Sequence, residues 1–497
     1  MKNNLKNAAY NAMGFIFSGI LFLLTTPYIV LKLNTDVYGI YVLAISLMGM
    51  LSFLDLGFGQ GIIKFVSHYE AKKDFDRINN IINTTLVINL FMGLLGGLGI
   101  FLSSGFLAER VFKVRHEYLE IATTSLRTVS VGFLINLVSS TFSNIPRALQ
   151  RYDIAVKIQN MVWFLSLTFS VAILHFGYGL FEILIFHVIF QFLGLISYFY
   201  FSKKLIPSLE ISLKFNRDVF KEIFGFSIFT AINSITGNIV FRVDKMIISY
   251  FLGTSAVTYY QIPFMIAQVA NGFLSYIIQF LFPAVSFLNS VGDKEKLKQI
   301  YFKSTRYIIV FSLIIFSGLV TLGKPFLTKW MGENIGDVSY PLMVIISFVF
   351  FFVSISNVGY YYYNGLGKAK INMISSFVGA FSYLVSAFVL IPKFNLTGAA
   401  LSFIFILTPF PIYTYVLNKI IGFPYKVYLV IITKSAAILL FELGIYIFLR
   451  GINATNINID KILIYIFSFL ASIFLIIALK LIGIDDYIDI KKRLLNL

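Results

Sequence analysis

Residues 222–251 read EIFGFSIFTAINSITGNIVFRVDKMIISYF. Between Glu222 and Arg242 no residue is charged, and a helix needs a run of about 20 such residues to cross the hydrocarbon of a bilayer. Within the stretch, Ser227, Thr230, Ser234, Asn238, Arg242 and Lys245 recur every three or four residues. That spacing gathers them on one helical face. An unpaired polar group in hydrocarbon is costly, so such a face must meet protein or water. The segment reads as one helix of a bundle.

The composition extends this reading to the whole chain. Of 497 residues, 58% are hydrophobic, 17% aromatic and only 13% charged, and mean hydropathy is +0.85. A soluble fold cannot hide so much apolar surface, which excludes a soluble enzyme and a disordered or fibrous protein. Bilayer-length windows fall at 11–33, 39–66, 81–103, 121–145, 156–175, 180–201, 222–251, 257–288, 304–323, 341–363, 372–391, 397–418, 428–449 and 462–483. The expected fold is all-α and polytopic, with about fourteen transmembrane helices. The first window is too long for a signal peptide and lacks a cleavage site, so it reads as a retained span.

Net charge is +17. In a soluble protein that would suggest nucleic acid, but here the cations alternate by loop. Lys72, Lys73 and Arg77, then Arg147 and Arg151, then Lys203, Lys204, Lys214 and Arg217, lie on the side of the N-terminus. Lys294, Lys296, Lys298, Lys368, Lys370, Lys419, Lys426 and the tail cations Lys491, Lys492 and Arg493 continue the pattern. The opposite loops carry fewer. The positive-inside rule then places both termini in the cytoplasm, and no nucleic-acid partner is expected.

A faint repeat relates the turn Leu33–Tyr41 to Leu252–Tyr260, where Leu, Thr and Tyr coincide. Similar offsets pair Phe106-Leu107 with Phe326-Leu327 and Leu149-x-Arg151 with Leu366-x-Lys368. The chain thus divides into an N-terminal six-helix half, 1–201, and a C-terminal half, 215–418. Two additional helices, 428–483, and a cytoplasmic tail, 484–497, follow. Parallel halves around a central cavity are a frame for alternating access.

Polar stripes on the first, seventh and eighth spans supply the expected cavity lining: Asn11, Ser18, Thr230, Ser234, Asn238, Gln268, Asn271 and Ser275. Interhelical hydrogen bonding is the competing use of each. Amide-rich faces suit sugar hydroxyls, because Asn and Gln both donate and accept. Charges within spans are expensive and mark function or pairing. Arg242, Lys245 and Arg127 are candidates for attracting an anion, while Asp55 and Asp244 are candidates for ion coupling or charge pairing. Glu442 lies in the thirteenth span, where pairing with a neighbour is the plain expectation. Cysteine is absent, and His68, His116, His175 and His187 lack metal-site spacing. His175 and His187 read as packing residues. No P-loop or nucleophile elbow occurs, so no catalytic residue, metal or cofactor is expected.

Several ordered segments resemble the bacterial oligosaccharide flippases of the polysaccharide-transport family, within the multidrug/oligosaccharidyl-lipid/polysaccharide exporter superfamily. They are Tyr38-Gly39-Ile40-Tyr41, Leu54-Asp55-Leu56-Gly57, Arg147-Ala148-Leu149-Gln150-Arg151-Tyr152-Asp153 and Arg242-Val243-Asp244-Lys245 running to Phe251-Leu252-Gly253. Trp330-Met331-Gly332 and Asn364-Gly365-Leu366-Gly367-Lys368 complete the set. Thr258 and Tyr259 replace the family's Gly-x-Tyr in the second repeat. The resemblance implies a transporter that moves undecaprenyl-diphosphate-linked oligosaccharide across the bacterial cytoplasmic membrane, for O-antigen, capsule or a related polysaccharide. A polysaccharide polymerase and a chain-length regulator are the implied protein partners. The alternatives are a peptidoglycan-precursor flippase, a multidrug or cation exporter of the same superfamily, and a membrane polysaccharide polymerase or ligase. The last should carry a large outer loop rich in Arg and His, which the sequence lacks.

Overall fold

The computed structural model describes the backbone of residues 2–225, 227, 239–453 and 461–479, and side chains over 17–51, 54–225, 227, 241–444 and 467–479. Among the described residues there is no strand. Ten helices among the described residues are long and apolar enough to cross a membrane, and the protein is a polytopic all-α membrane protein.

The first unit, residues 1–261, begins with α1 (Lys2–Met50) and α2 (Phe58–Ala71). It continues with α3 (Phe75–Phe106), α4 (Leu119–Ala148), α5 (Tyr152–His175) and α6 (Leu180–Leu205). Helix α7, described over 217–225, a π-helical turn (Ile239–Val243) and α8 (Asp244–Leu252) follow. The second unit, residues 262–497, holds most of α9 (Thr254–Ile278), then α10 (Leu281–Ser290), α11 (Lys294–Met331) and α12 (Glu333–Gly365). It ends with α13 (Ala369–Ile404), α14 (Phe410–Ile421), α15 (Tyr425–Asn453) and α16 (Lys461–Ala478).

The expected first and second spans meet inside α1 at Asn34, whose φ of 63° marks a sharp change of direction. The Asn34 side chain accepts from the backbone N–H of Asp36 and Val37, both at 3.0 Å. It therefore caps the helix that starts beyond it. Asp74 and Asp293 cap α3 and α11 in the same way, accepting from Arg77 and Lys296 at 3.0 Å.

The expected second span, 39–66, is not one helix. It passes through a 3-10 turn (Leu51–Asp55), then Leu56 and Gly57 adopt φ of 49° and 74° before α2 begins. Discontinuous helices of this kind expose backbone groups and local charge at membrane depth, and transporters place ligand sites there. In the seventh expected span, Thr230, Ser234 and Asn238 lie outside the described residues, as does the 484–497 tail. Of Asn11 only the backbone is described.

Candidate functional site

Within the first unit, α1, α4, α5, α6 and the π-helical turn enclose a cavity of about 370 Å³. Helix α4 contributes Asn136, Ser139, Ser140, Ser143 and Arg147 to its wall, a run at steps of one, three and four that covers one helical face. Helix α5 adds Gln159, Trp163 and Ser166, and α6 adds His187, Gln191 and Tyr198. Close approach of these helices relies on glycine. A Cβ on Gly194 would come within 2.8 Å of Val162, and one on Gly132 within 3.1 Å of the Gln191 amide oxygen. Small residues serve this purpose wherever membrane helices pack closely.

Among the described residues, two guanidinium groups reach the cavity and no carboxylate lines it. Arg147 donates to the amide oxygens of Asn144, at 3.1 Å, and Gln159, at 3.3 Å. Both partners are neutral, so its charge is oriented without being cancelled. Arg242 comes from the π-helical turn and has no hydrogen bond among the described residues; its electrostatic partner is Asp244. Its guanidinium lies where a side chain at position 49 would stand: a Cβ built on Gly49 would meet the Arg242 Nη1 at 2.0 Å. A π-turn adds a residue to the helical register and recurs at functional sites. Here it separates the direction of Arg242 from that of the residues just after it.

Those residues are closed on themselves. Lys245 Nζ pairs with Asp244 Oδ2 at 2.8 Å and donates to the Phe241 carbonyl at 2.8 Å. Asp244 also accepts from the Lys245 backbone N–H at 2.8 Å. Lys245 is 3% exposed and Asp244 0%, and neither lines the cavity. Arg127 is elsewhere again, exposed on α4, with its guanidinium 5.4 Å from the Phe101 ring and its Nε donating to Ser104 at 3.3 Å. Of the three cations singled out in the sequence, the cavity brings in Arg242 alone and adds Arg147.

Asp55 stands behind the cavity wall. Its Oδ1 accepts from Ser140 at 2.9 Å and from Asn89 at 3.3 Å, and its Oδ2 accepts from the Gly59 N–H at 3.1 Å. Ser140 is shared between this carboxylate and the cavity. The Gly59 contact places Asp55 at the N-terminus of α2, where unpaired N–H groups and the helix dipole favour a negative charge. Neutral donors hold the carboxyl group in the break of the second span.

Farther along the unit, the two repeated turns touch. A Cβ on Gly39 would clash with the Thr254 carbonyl at 2.0 Å. Thr254 donates to Asp36 Oδ1 at 2.8 Å, Thr258 to the Thr35 carbonyl at 2.6 Å, and Ser249 to the Phe112 carbonyl at 2.6 Å. Arg115 pairs with Asp36 from the α3–α4 connection. In the second unit, the expected lining residues engage α12. Asn271 accepts from Ser354 at 2.9 Å and Asn357 at 3.1 Å, and Ser275 bonds the Tyr361 hydroxyl at 3.2 Å. Gln268 and Ser18 are half-buried, and neither lines the described cavity.

The fourth-span stripe and the Gln159, Trp163, His187 and Gln191 contributions escape the sequence reading. Ser and Asn on an apolar helix look the same whether they face a neighbour or a void. The signal available was the recurrence of 136, 139, 140, 143 and 147 on one face ending in Arg.

This discontinuous, all-helical fold is shared with solved membrane proteins. Over 94% of this chain and 98% of the other it superposes on "Lipid II flippase MurJ, inward closed conformation", with a TM-score of 0.71 and 15% identity. An inward-facing multidrug resistance MATE family transporter matches 83% of this chain and 94% of its own, with a TM-score of 0.70 and 12% identity. The family model described as "Polysaccharide biosynthesis protein" matches residues 4–289, and the chain belongs to that family. The "Putative O-antigen transporter" of Shigella flexneri is 23% identical over 409 residues, covering 80% of this chain and 93% of its own length. "Uncharacterized membrane protein EpsK" of Bacillus subtilis (strain 168) is 25% identical over 346 residues, 68% of this chain and 67% of its own. The protein is thus a polytopic membrane protein of the polysaccharide biosynthesis family.

Proposed function

We propose that the protein flips undecaprenyl-diphosphate-linked oligosaccharide units from the cytoplasmic to the outer leaflet of the bacterial cytoplasmic membrane, by alternating access, with both termini in the cytoplasm. The observation that carries this reading is the cavity of the first unit, which receives Arg147 and Arg242 and no carboxylate in its lining. An unpaired ion does not cross hydrocarbon, because its desolvation is prohibitive. A diphosphate therefore needs cations at its path, and guanidinium groups suit phosphate by presenting forked donors. Asn136, Gln159 and Gln191 add groups that donate and accept, as sugar hydroxyls require. Trp163 adds an apolar ring face.

A cation exporter needs the opposite charge in its cavity, so the lining favours the anionic cargo over that alternative. The test is flipping of a fluorescent undecaprenyl-diphosphate-linked oligosaccharide in proteoliposomes, read by its access to an external phosphatase. Protein-dependent access that is lost in Arg242→Ala supports the reading. Access no faster than in empty vesicles, or equal activity in that variant, overturns it.

A further inference from the structure

Within the second unit a buried polar cluster lies where α11, α15 and α16 pack against one another. Glu442 on α15 is 1% exposed. Neither of its carboxyl oxygens has a hydrogen-bond partner among the described residues, and the Ser317 hydroxyl has none either. Among the described residues, the polar side chains that act on the carboxyl are Ser317 of α11 and Ser472 of α16, and no charged side chain does so. Ser472 already gives its proton to the Ser468 carbonyl at 3.1 Å.

A carboxylate held in a low-dielectric interior with no cation beside it is costly, and a bound proton removes that charge. Charged groups on the same elements are remote or engaged. Lys324 of α11 is seven residues beyond Ser317, about 10 Å along the axis, and is paired with Asp337 at 3.0 Å. Lys434 of α15 is eight residues before Glu442, about 12 Å away along the axis, and donates to the Leu479 carbonyl at 3.2 Å. Of Arg450 and Lys461 the side chains are not among those described. A metal-type cluster of acidic or histidine side chains is also absent among the described residues.

We propose that Glu442, Ser317 and Ser472 form a proton-binding site, with the proton on the Glu442 carboxyl and donated to a serine oxygen. Loss of that proton to water would leave an unpaired anion in the α11–α15–α16 interface, which the packing cannot solvate. Proton binding is thereby coupled to how tightly the C-terminal helix pair seats on α11. The inference concerns the expected extra helices, 428–483, and stands apart from the identity of the cargo.

Infrared difference spectra of the purified full-length protein test it. At about pH 7, where an exposed Glu is ionised, wild type should show a protonated-carboxyl carbonyl band that Glu442→Gln lacks. Ser472→Ala should move that band without removing it, which keeps the test valid if the Gln variant folds poorly. A Glu442 signal at that pH in the ionised form alone overturns the proposal. A protonated band that disappears on exchanging potassium chloride for sodium chloride also overturns it, in favour of a sodium site.

Discussion

Gly49 and Arg242 share one space. With a Cβ only 2.0 Å from the Arg242 Nη1, any side chain at 49 must push the guanidinium out of the cavity wall. Gly49→Val and Arg242→Ala are therefore expected to give the same phenotype by different routes: flipping is impaired while folded, membrane-inserted protein is retained. Charge-assisted hydrogen bonds contribute about 1.5–3 kcal/mol each, so apparent affinity for the lipid-linked diphosphate should fall roughly tenfold or more in each. Titration of that lipid against both purified variants checks this, and wild-type affinity in Gly49→Val would show that the close approach has no role. Lys245 provides the contrast. Because its charge is closed by Asp244 and the Phe241 carbonyl, Lys245→Ala should strand a buried carboxylate, which costs about 3–5 kcal/mol. Its signature is loss of thermal stability, read by melting in detergent, more than loss of affinity. From sequence the two cations are indistinguishable, since they lie three residues apart on one nominal helical face. The π-turn that separates them follows from packing and leaves no local signature.

The elements show the same division between what periodicity reveals and what packing decides. Apolar windows place the helices well, and the Leu33–Tyr41 and Leu252–Tyr260 turns stand out as a pair before their contact through Gly39 and Thr254 is known. The break in the second span is legible only through Gly57. Leu56, at φ 49°, gives no warning, because an L-residue with a branched side chain rarely adopts that conformation. Nor does the sequence reveal how the α6–α7 connector is held. Asn79 accepts from the Glu210 N–H at 3.1 Å and donates to the Ser208 carbonyl at 2.9 Å. Asn83 accepts from Ser212 at 2.8 Å and Leu213 at 3.2 Å, and donates to the Glu210 carbonyl at 2.7 Å. Together these amides give an extended strap the hydrogen bonds that a neighbouring strand would have supplied. Asn83→Ala removes the second set while leaving Glu210, Ser212 and Leu213 less than fully satisfied, so it should destabilise the protein by about 1–3 kcal/mol. Protease nicking within 207–216 should then become faster than in wild type; unchanged nicking and melting would show that the strap is held by other means.

At the scale of the whole molecule, the +17 charge has two parts with different physical origins. Most of it lies in alternating loops, where it accounts for orientation by the positive-inside rule. A small remainder stands within the membrane, and the described cavity takes Arg242 from it and Arg147 from the loop-side set. That remainder bears on energetics. Carrying one negative charge outward from a negative interior is favoured by about 2.3 kcal/mol per 100 mV. In the loaded step the guanidinium charges travel with the cargo and offset it, whereas the empty cavity returns inward as a positive charge, so the field does its work on the return. Flipping is therefore expected to accelerate when an inside-negative potential is imposed on proteoliposomes in the cytoplasm-inside orientation, with no pH or sodium gradient. Collapsing the potential with an ionophore should remove the acceleration, and Arg242→Ala should flatten its dependence on voltage by removing one of the moving charges. A rate indifferent to potential would mean that the work of transport comes from another gradient.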